Sequence, residues 1–132
     1  MPPQSLSAGL AHTATYLVTP DMRPPHIEGI LATSRMIALM EDTCLAAVQP
    51  FLEEGQTTVG TRVEISHVGM ARAGEEVTVR IRLEKITQRR LLTFEVEMEA
   101  ASGVVGSGSH QRLVVDRSRF ASTTPAAPQA GR

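Results

Sequence analysis

Three residues, Thr33, Glu41 and His67, can carry acid–base or nucleophilic chemistry, and two of them, Glu41 and His67, fall where their surroundings do not suit them. Around Glu41, apolar residues recur at three- and four-residue spacing: Met36, Ile37, Met40, Cys44, Val48 and Phe51. That spacing marks an amphipathic helix. On a helix wheel Glu41 lies between Ile37, Cys44 and Val48, inside the apolar stripe, whereas Asp42 lies outside it. A carboxylate on a buried face is costly unless paired or hydrogen-bonded. Burial also disfavours the charged form of any carboxylate, which suits such a group to act as a general base or nucleophile near neutral pH. The plainer alternative is a glutamate at the edge of the stripe that reaches water or a structural partner.

His67 repeats the anomaly on a strand. It shares parity with Val59, Thr61, Val63 and Ile65, so the alternation turns it toward the apolar side. A lone inward histidine is more often a satisfied core or strand-end residue. Thr33 lies two helical turns before Glu41, on roughly the same side. Its ordinary role there is the N-cap, which Ser34 can also fill. A hydroxyl at that place can equally hold Glu41 or a substrate oxygen. Gly60, just before the alternation settles, admits close approach of a ligand, or marks a strand-start bulge. An acid and a histidine, both turned inward on elements that must pack together, can form one site.

The elements that position these residues follow from the same patterns. Thr13 to Thr19 reads as a strand closed by Pro20, followed by a loop with Asp21, Pro24, Pro25 and Gly29. The helix runs from about Thr33 to Phe51, with Pro50 forcing a kink or an early end. Val77, Val79, Ile81 and Leu83 alternate with Thr78, Arg80, Arg82 and Glu84. Leu92, Phe94, Val96 and Met98 alternate with Thr93, Glu95, Glu97 and Glu99. These are half-buried antiparallel strands, with basic positions of one opposite acidic positions of the next. Gln88-Arg89-Arg90 is the expected hairpin turn, and a last strand spans about Val104 to Val115. One long helix with one antiparallel sheet gives an α+β architecture. The helix is apolar around much of its girth, so the sheet is expected to wrap it: the hotdog arrangement. The expected boundaries are an N-terminal tail over residues 1–12, one domain over 13–120, and a Pro-rich, disordered tail over 121–132.

Composition narrows the function classes. A chain of 132 residues suits one domain, and 42% hydrophobic with 20% charged residues is ordinary for a soluble protein. A formal charge of −1 offers no basic field for nucleic acid, and 3% aromatic content without Trp offers no stacking platform. Cys44 is the single cysteine, so no internal disulfide and no CxxC zinc site can form. His12, His26, His67 and His110 have no metal-ligand spacing. The segment Gly103 to Gly108 lacks the helix and lysine of a phosphate loop. No apolar run approaches the ~20 residues of a membrane span, and the cytoplasm is the expected compartment.

The stretch LATSRMIALMEDTCLAAVQPFLEEGQTTVGTRVEISHVG, with the later GSGSHQR, resembles the fluoroacetyl-CoA thioesterase group of hotdog enzymes. The resemblance covers about Thr13 to Phe120. It implies a catalytic Thr, Glu and His at Thr33, Glu41 and His67, and a glycine near the acyl group at Gly60. The late segment matches through Gly106, Ser107, Gly108, Ser109, His110 and Arg112, to which no catalytic role is assigned. The resemblance further implies acyl-CoA held in clefts between the two subunits of a homodimer, or of a higher assembly. It implies hydrolysis to a free acid and coenzyme A, with no metal or redox cofactor. The family's gating phenylalanine falls near Ile27 here, and Ser34 replaces a glycine; a broader or different short acyl substrate is expected. A non-catalytic acyl-CoA sensor and a hotdog dehydratase or hydratase are the rival readings.

Overall fold

The computed structural model describes residues 5–122. Five strands form one antiparallel sheet: β1 (Ala11–Leu17), β2 (Gln56–His67), β3 (Glu76–Thr87), β4 (Leu91–Ala100) and β5 (Gly103–Asp116), in the order β1-β3-β4-β5-β2. The long helix α1 (Thr33–Val48) packs on one face of that sheet. This is the hotdog arrangement that the patterning indicated. A short helix α2 (Arg117–Ser122) follows β5 and had no counterpart in the sequence reading. The expected tail over 121–132 lies outside the described residues from residue 123 onward, as do residues 1–4.

The stripe on α1 does what its spacing requires. Met36, Met40, Cys44, Ala47 and Val48 are buried against Val77, Val79, Leu83, Leu92, Phe94 and Met98 of the sheet. Each of the Met, Val, Leu and Phe side chains contributes about 1.5–3 kcal/mol when fully buried. The helix ends at Val48, short of Phe51, and Gln49–Phe51 tighten into a 3-10 turn around Pro50, which has no N–H to continue the α ladder.

Register and turn also follow the chemistry. Arg80 lies opposite Glu97 and Arg82 opposite Glu95 on the outer face. Ion pairs join Arg80 to Glu99 at 2.8 Å and Arg82 to Glu84 at 2.7 Å. These pairs are half-exposed, so each contributes less than about 1 kcal/mol. In the β3–β4 turn Gln88 and Arg89 both have positive φ, 53° and 66°, as a two-residue hairpin turn matching strand twist demands.

One irregularity changes the faces. Gly60 pairs with Arg112, but Arg62 pairs with Gln111, so Thr61 is an extra residue on β2. The bulge inverts the alternation. Beyond it Val63, Ile65 and His67 lie opposite His110, Gly108 and Gly106 and share their helix-facing side. Before it Thr58 and Gly60 face the helix, and Val59 faces away. The expected unbroken parity from Val59 through His67 is therefore corrected: His67 does face inward, but not in phase with Val59 or Thr61. At the sheet's edge, β2 has no strand beyond it among the described residues.

Candidate active site

Thr33 is the first residue of α1, and Ala32 holds the cap position without a side-chain cap bond. The expected capping role of Thr33 or Ser34 is thus not the one observed. The Thr33 hydroxyl is committed elsewhere, to Nδ1 of His67 at 2.7 Å. His67 ends β2, where Ile30, Leu31, Val68, Gly69 and Met70 line with it a shallow cavity of about 350 Å3. Val68 and Met70 are exposed apolar side chains. Ile27 lies in the loop before the helix, 43% exposed. Ser34 is exposed beside Thr33 and makes no side-chain hydrogen bond among the described residues. The backbone N–H groups of Thr33 and Ser34 likewise make none among the described residues, as expected at a helix start without a side-chain cap.

Glu41 belongs to a second cluster. Its side chain is 38% exposed, which corrects the expectation of a buried carboxylate: the stripe turns it toward the sheet, but nothing in this chain covers it fully. Oε2 lies 3.9 Å from Arg112 Nη1 and 3.9 Å from His110 Nε2. Gly60 sits directly below. A Cβ built there would come within 2.7 Å of Oε2, so only glycine leaves the carboxylate where it is. The bulge reading of Gly60 holds, and the group that approaches it closely in this chain is Glu41.

Arg112 and His110 are the buried polar residues the sequence reading left without a role. Arg112 donates from Nε to Thr58 Oγ1 at 2.7 Å, from Nη2 to the Thr58 carbonyl at 3.1 Å, and from Nη1 to His110 Nε2 at 3.1 Å. Its burial disfavours the charge and lowers its pKa, while the Glu41 carboxylate opposes that shift. Such a buried cation is tolerable only because its donors are used. His110 is fully buried, and burial lowers its pKa below the usual histidine value; the carbonyl bond to Arg62 and the Glu41 charge act against that, and Arg112 adds to it. The signal in the sequence was parity. His110 and Arg112 share a face with Gly106 and Gly108 and lie opposite Phe94 and Leu92, two core positions.

Within one chain the two clusters do not meet. Thr33 and Glu41 are eight residues apart on the helix, ~12 Å along its axis. Gly60 and His67 are seven residues apart on β2, ~20 Å. The structure therefore brings Thr33 to His67, and Glu41 to Gly60, but does not join the pairs; the suggestion that Thr33 holds Glu41 of the same chain is corrected. Among the described residues no group of three His, Cys, Asp or Glu side chains is arranged to hold a metal.

Comparison with known proteins gives this geometry a context. A profile of the fluoroacetyl-CoA-specific thioesterase family matches residues 13–118. A fluoroacetyl-CoA thioesterase of Streptantibioticus cattleyicolor is 34% identical over 91 residues, which are 69% of this chain and 65%, just under two thirds, of that protein. A solved fluoroacetyl-CoA thioesterase superposes with a TM-score of 0.86 at 27% identity, over 92% of this chain and all of that one. A variant solved in complex with fluoroacetate and CoA superposes with a TM-score of 0.82 at 28% identity, over 87% and 99% of the two chains. With a matched profile that spans β1 to α2 and includes both clusters, the chain belongs to the family of fluoroacetyl-CoA-specific thioesterases.

Proposed function

We propose that the protein hydrolyses short acyl-CoA thioesters to a free acid and coenzyme A, at sites that two copies of the chain complete together. The observation that carries this reading is the placement of the Thr33–His67 pair and the Glu41 cluster at opposite ends of the open edge strand β2. Two such edges pairing antiparallel about a two-fold axis near Val63 and Glu64 bring Gly60 of one protomer within about two residues of His67 in the other. Glu41 of one copy then faces Thr33 and His67 of its partner. The same pairing covers the exposed Val63 and the open side of Glu41.

In this arrangement Glu41 supplies the oxygen nucleophile, its own or that of a water it deprotonates. The N–H groups of Thr33 and Ser34 face the developing oxyanion at the positive end of α1. The intermediate collapses with cleavage of the carbon–sulfur bond, and the coenzyme A thiolate takes up a proton of the consumed water, relayed by His67, which the Thr33 hydroxyl orients. Where Glu41 itself attacks, the collapse leaves a mixed anhydride on Glu41, which a water then cleaves to the free acid and the regenerated carboxylate. Arg112, with Nη1 3.9 Å from Oε2, helps to hold the Glu41 carboxylate in place. Ile27, in place of the aromatic gate expected from the family resemblance, favours short acyl groups without a halogen requirement. A homodimer is the smallest assembly that fits, and the single buried Cys44 suits a reducing cytoplasm. Among the described residues no helix is long and apolar enough to cross a membrane.

A panel of acyl-CoAs, followed for free thiol and separately for enoyl absorbance, tests the reaction. Thiol release on short acyl-CoAs is the expected result. Enoyl formation would mean a dehydratase or hydratase, and binding without either signal would mean a sensor. Sedimentation showing a fully active monomer at micromolar concentration would remove the shared site.

A further inference from the structure

His110 has two partners, and together they fix its proton. Its Nδ1 lies 2.8 Å from the Arg62 carbonyl, which can only accept, so Nδ1 carries the hydrogen. Its Nε2 lies 3.1 Å from Arg112 Nη1, which can only donate, so Nε2 carries none. The ring is held as the neutral Nδ1–H tautomer. It also stacks on Phe94, with centroids 6.5 Å apart and planes at 27°. With no proton on Nε2, the 3.9 Å approach to Glu41 Oε2 is a proximity and not a hydrogen bond.

Each partner controls Glu41 by a different route. Arg62 immediately follows the extra residue of the β2 bulge, and the bulge places Gly60 beneath the carboxylate. Arg112 Nη1 is the nitrogen that faces Glu41 Oε2. Thr58 engages Nε and Nη2, which leaves His110 as the group that pins Nη1. The titratable and charged groups facing the ring are Glu41 from α1 and Arg112 from β5, with the Arg62 backbone from β2 and the neutral Phe94 from β4.

We propose that His110 is a positioning residue for the hydrolysis: as the neutral Nδ1–H tautomer it ties the β2 bulge to Arg112 and thereby sets where Glu41 is presented to the thioester. The inference rests on the thioesterase reading above. It adds a role that acts through Arg112 and Gly60 and touches no reacting atom.

Two near-isosteric substitutions separate the ring's two bonds. His110→Asn keeps a donor near Nδ1 and loses the acceptor at Nε2; His110→Gln places an acceptor near Nε2 and loses the donor. The expected result for Asn is a kcat lower by ~10²-fold, the scale of an ångström-level misplacement, with KM and the melting temperature close to wild type. Gln is expected to recover at least tenfold of that loss. In the full-length, 15N-histidine-labelled wild-type protein, nitrogen chemical shifts at pH 6 should show His110 neutral with its proton on Nδ1. A proton on Nε2, an imidazolium at pH 6, or wild-type kcat in both variants would overturn the inference while leaving the hydrolase standing. A parallel fall of kcat and melting temperature in both variants, with no difference between them, would show a purely structural role and overturn it as well. A wild-type protein that releases thiol from no acyl-CoA would instead overturn the functional reading, and this inference with it.

Discussion

Gly60→Ala adds one methyl group directly under the proposed catalytic carboxylate. The Cβ would lie 2.7 Å from Glu41 Oε2, 3.2 Å from His110 Cε1 and 3.5 Å from Arg112 Nη1. Only the first contact is severe, and it falls on the far end of a flexible side chain. Gly60 is not a glycine whose φ forbids a side chain, so the backbone can stay in place. The carboxylate must retreat by at least ~0.7 Å to reach the 3.4 Å of an ordinary contact. Misplacement on that scale costs up to ~10²-fold in rate, or ~2.7 kcal/mol of barrier. Stability should change by less than about 1 kcal/mol, because no buried apolar group is lost and alanine is no worse than glycine in a strand. Free-thiol release from a short acyl-CoA and a thermal melt measure the two quantities. An unchanged kcat would mean that Glu41 is not held at a catalytic position. A large fall in melting temperature with rate lost in proportion would mean that Gly60 serves the bulge alone.

Further variants extend the same logic. Glu41→Gln should lower turnover by at least ~10²-fold with the fold intact, whereas Asp42→Asn, on the exposed side of α1, should change it little; kcat for both variants checks the helical phase. Thr33→Ala should cost ~10-fold in kcat through the lost bond to His67, yet leave stability within about 0.5 kcal/mol, since Thr33 caps nothing. His110 has a folded-state pKa below its unfolded value, so the unfolded chain binds its proton first. Its contribution to stability is therefore complete above about pH 6.5 and is lost as pH falls below that; denaturant titrations should show a shallower acid-side loss in His110→Gln than in wild type.

Much of the architecture was legible because it rests on periodicity. The stripe from Met36 to Val48 and the alternation from Val77 to Leu83 and from Leu92 to Met98 are direct images of burial. The β3–β4 turn and its facing charges were legible for the same reason. A bulge at Gly60 was one of its two readings, but the change of phase it causes was not legible, because one inserted residue, Thr61, inverts the alternation without any change in composition, and threonine is ordinary in a strand. The role of Arg112 was hidden by Gly106 and Gly108, which leave half of the β5 alternation without side chains. Glu41 was expected to be buried because a wheel shows which way a residue points but not whether its own chain is wide enough to cover it. Thr33 looked like a cap because local sequence favours that use; its actual partner is 34 residues away.

The separation of Glu41 from His67 on one chain has a genetic consequence. If each site draws Glu41 from one protomer and His67 from the other, two dead chains can repair each other. A heterodimer of Glu41→Gln with His67→Ala holds one site with both lesions and one with neither. Random pairing of equal amounts makes half of the dimers mixed, so about a quarter of wild-type activity should return on subunit exchange. Chains that housed complete sites of their own would return none. Cells carrying the two alleles together would then grow on a thioester-dependent selection that neither allele survives alone.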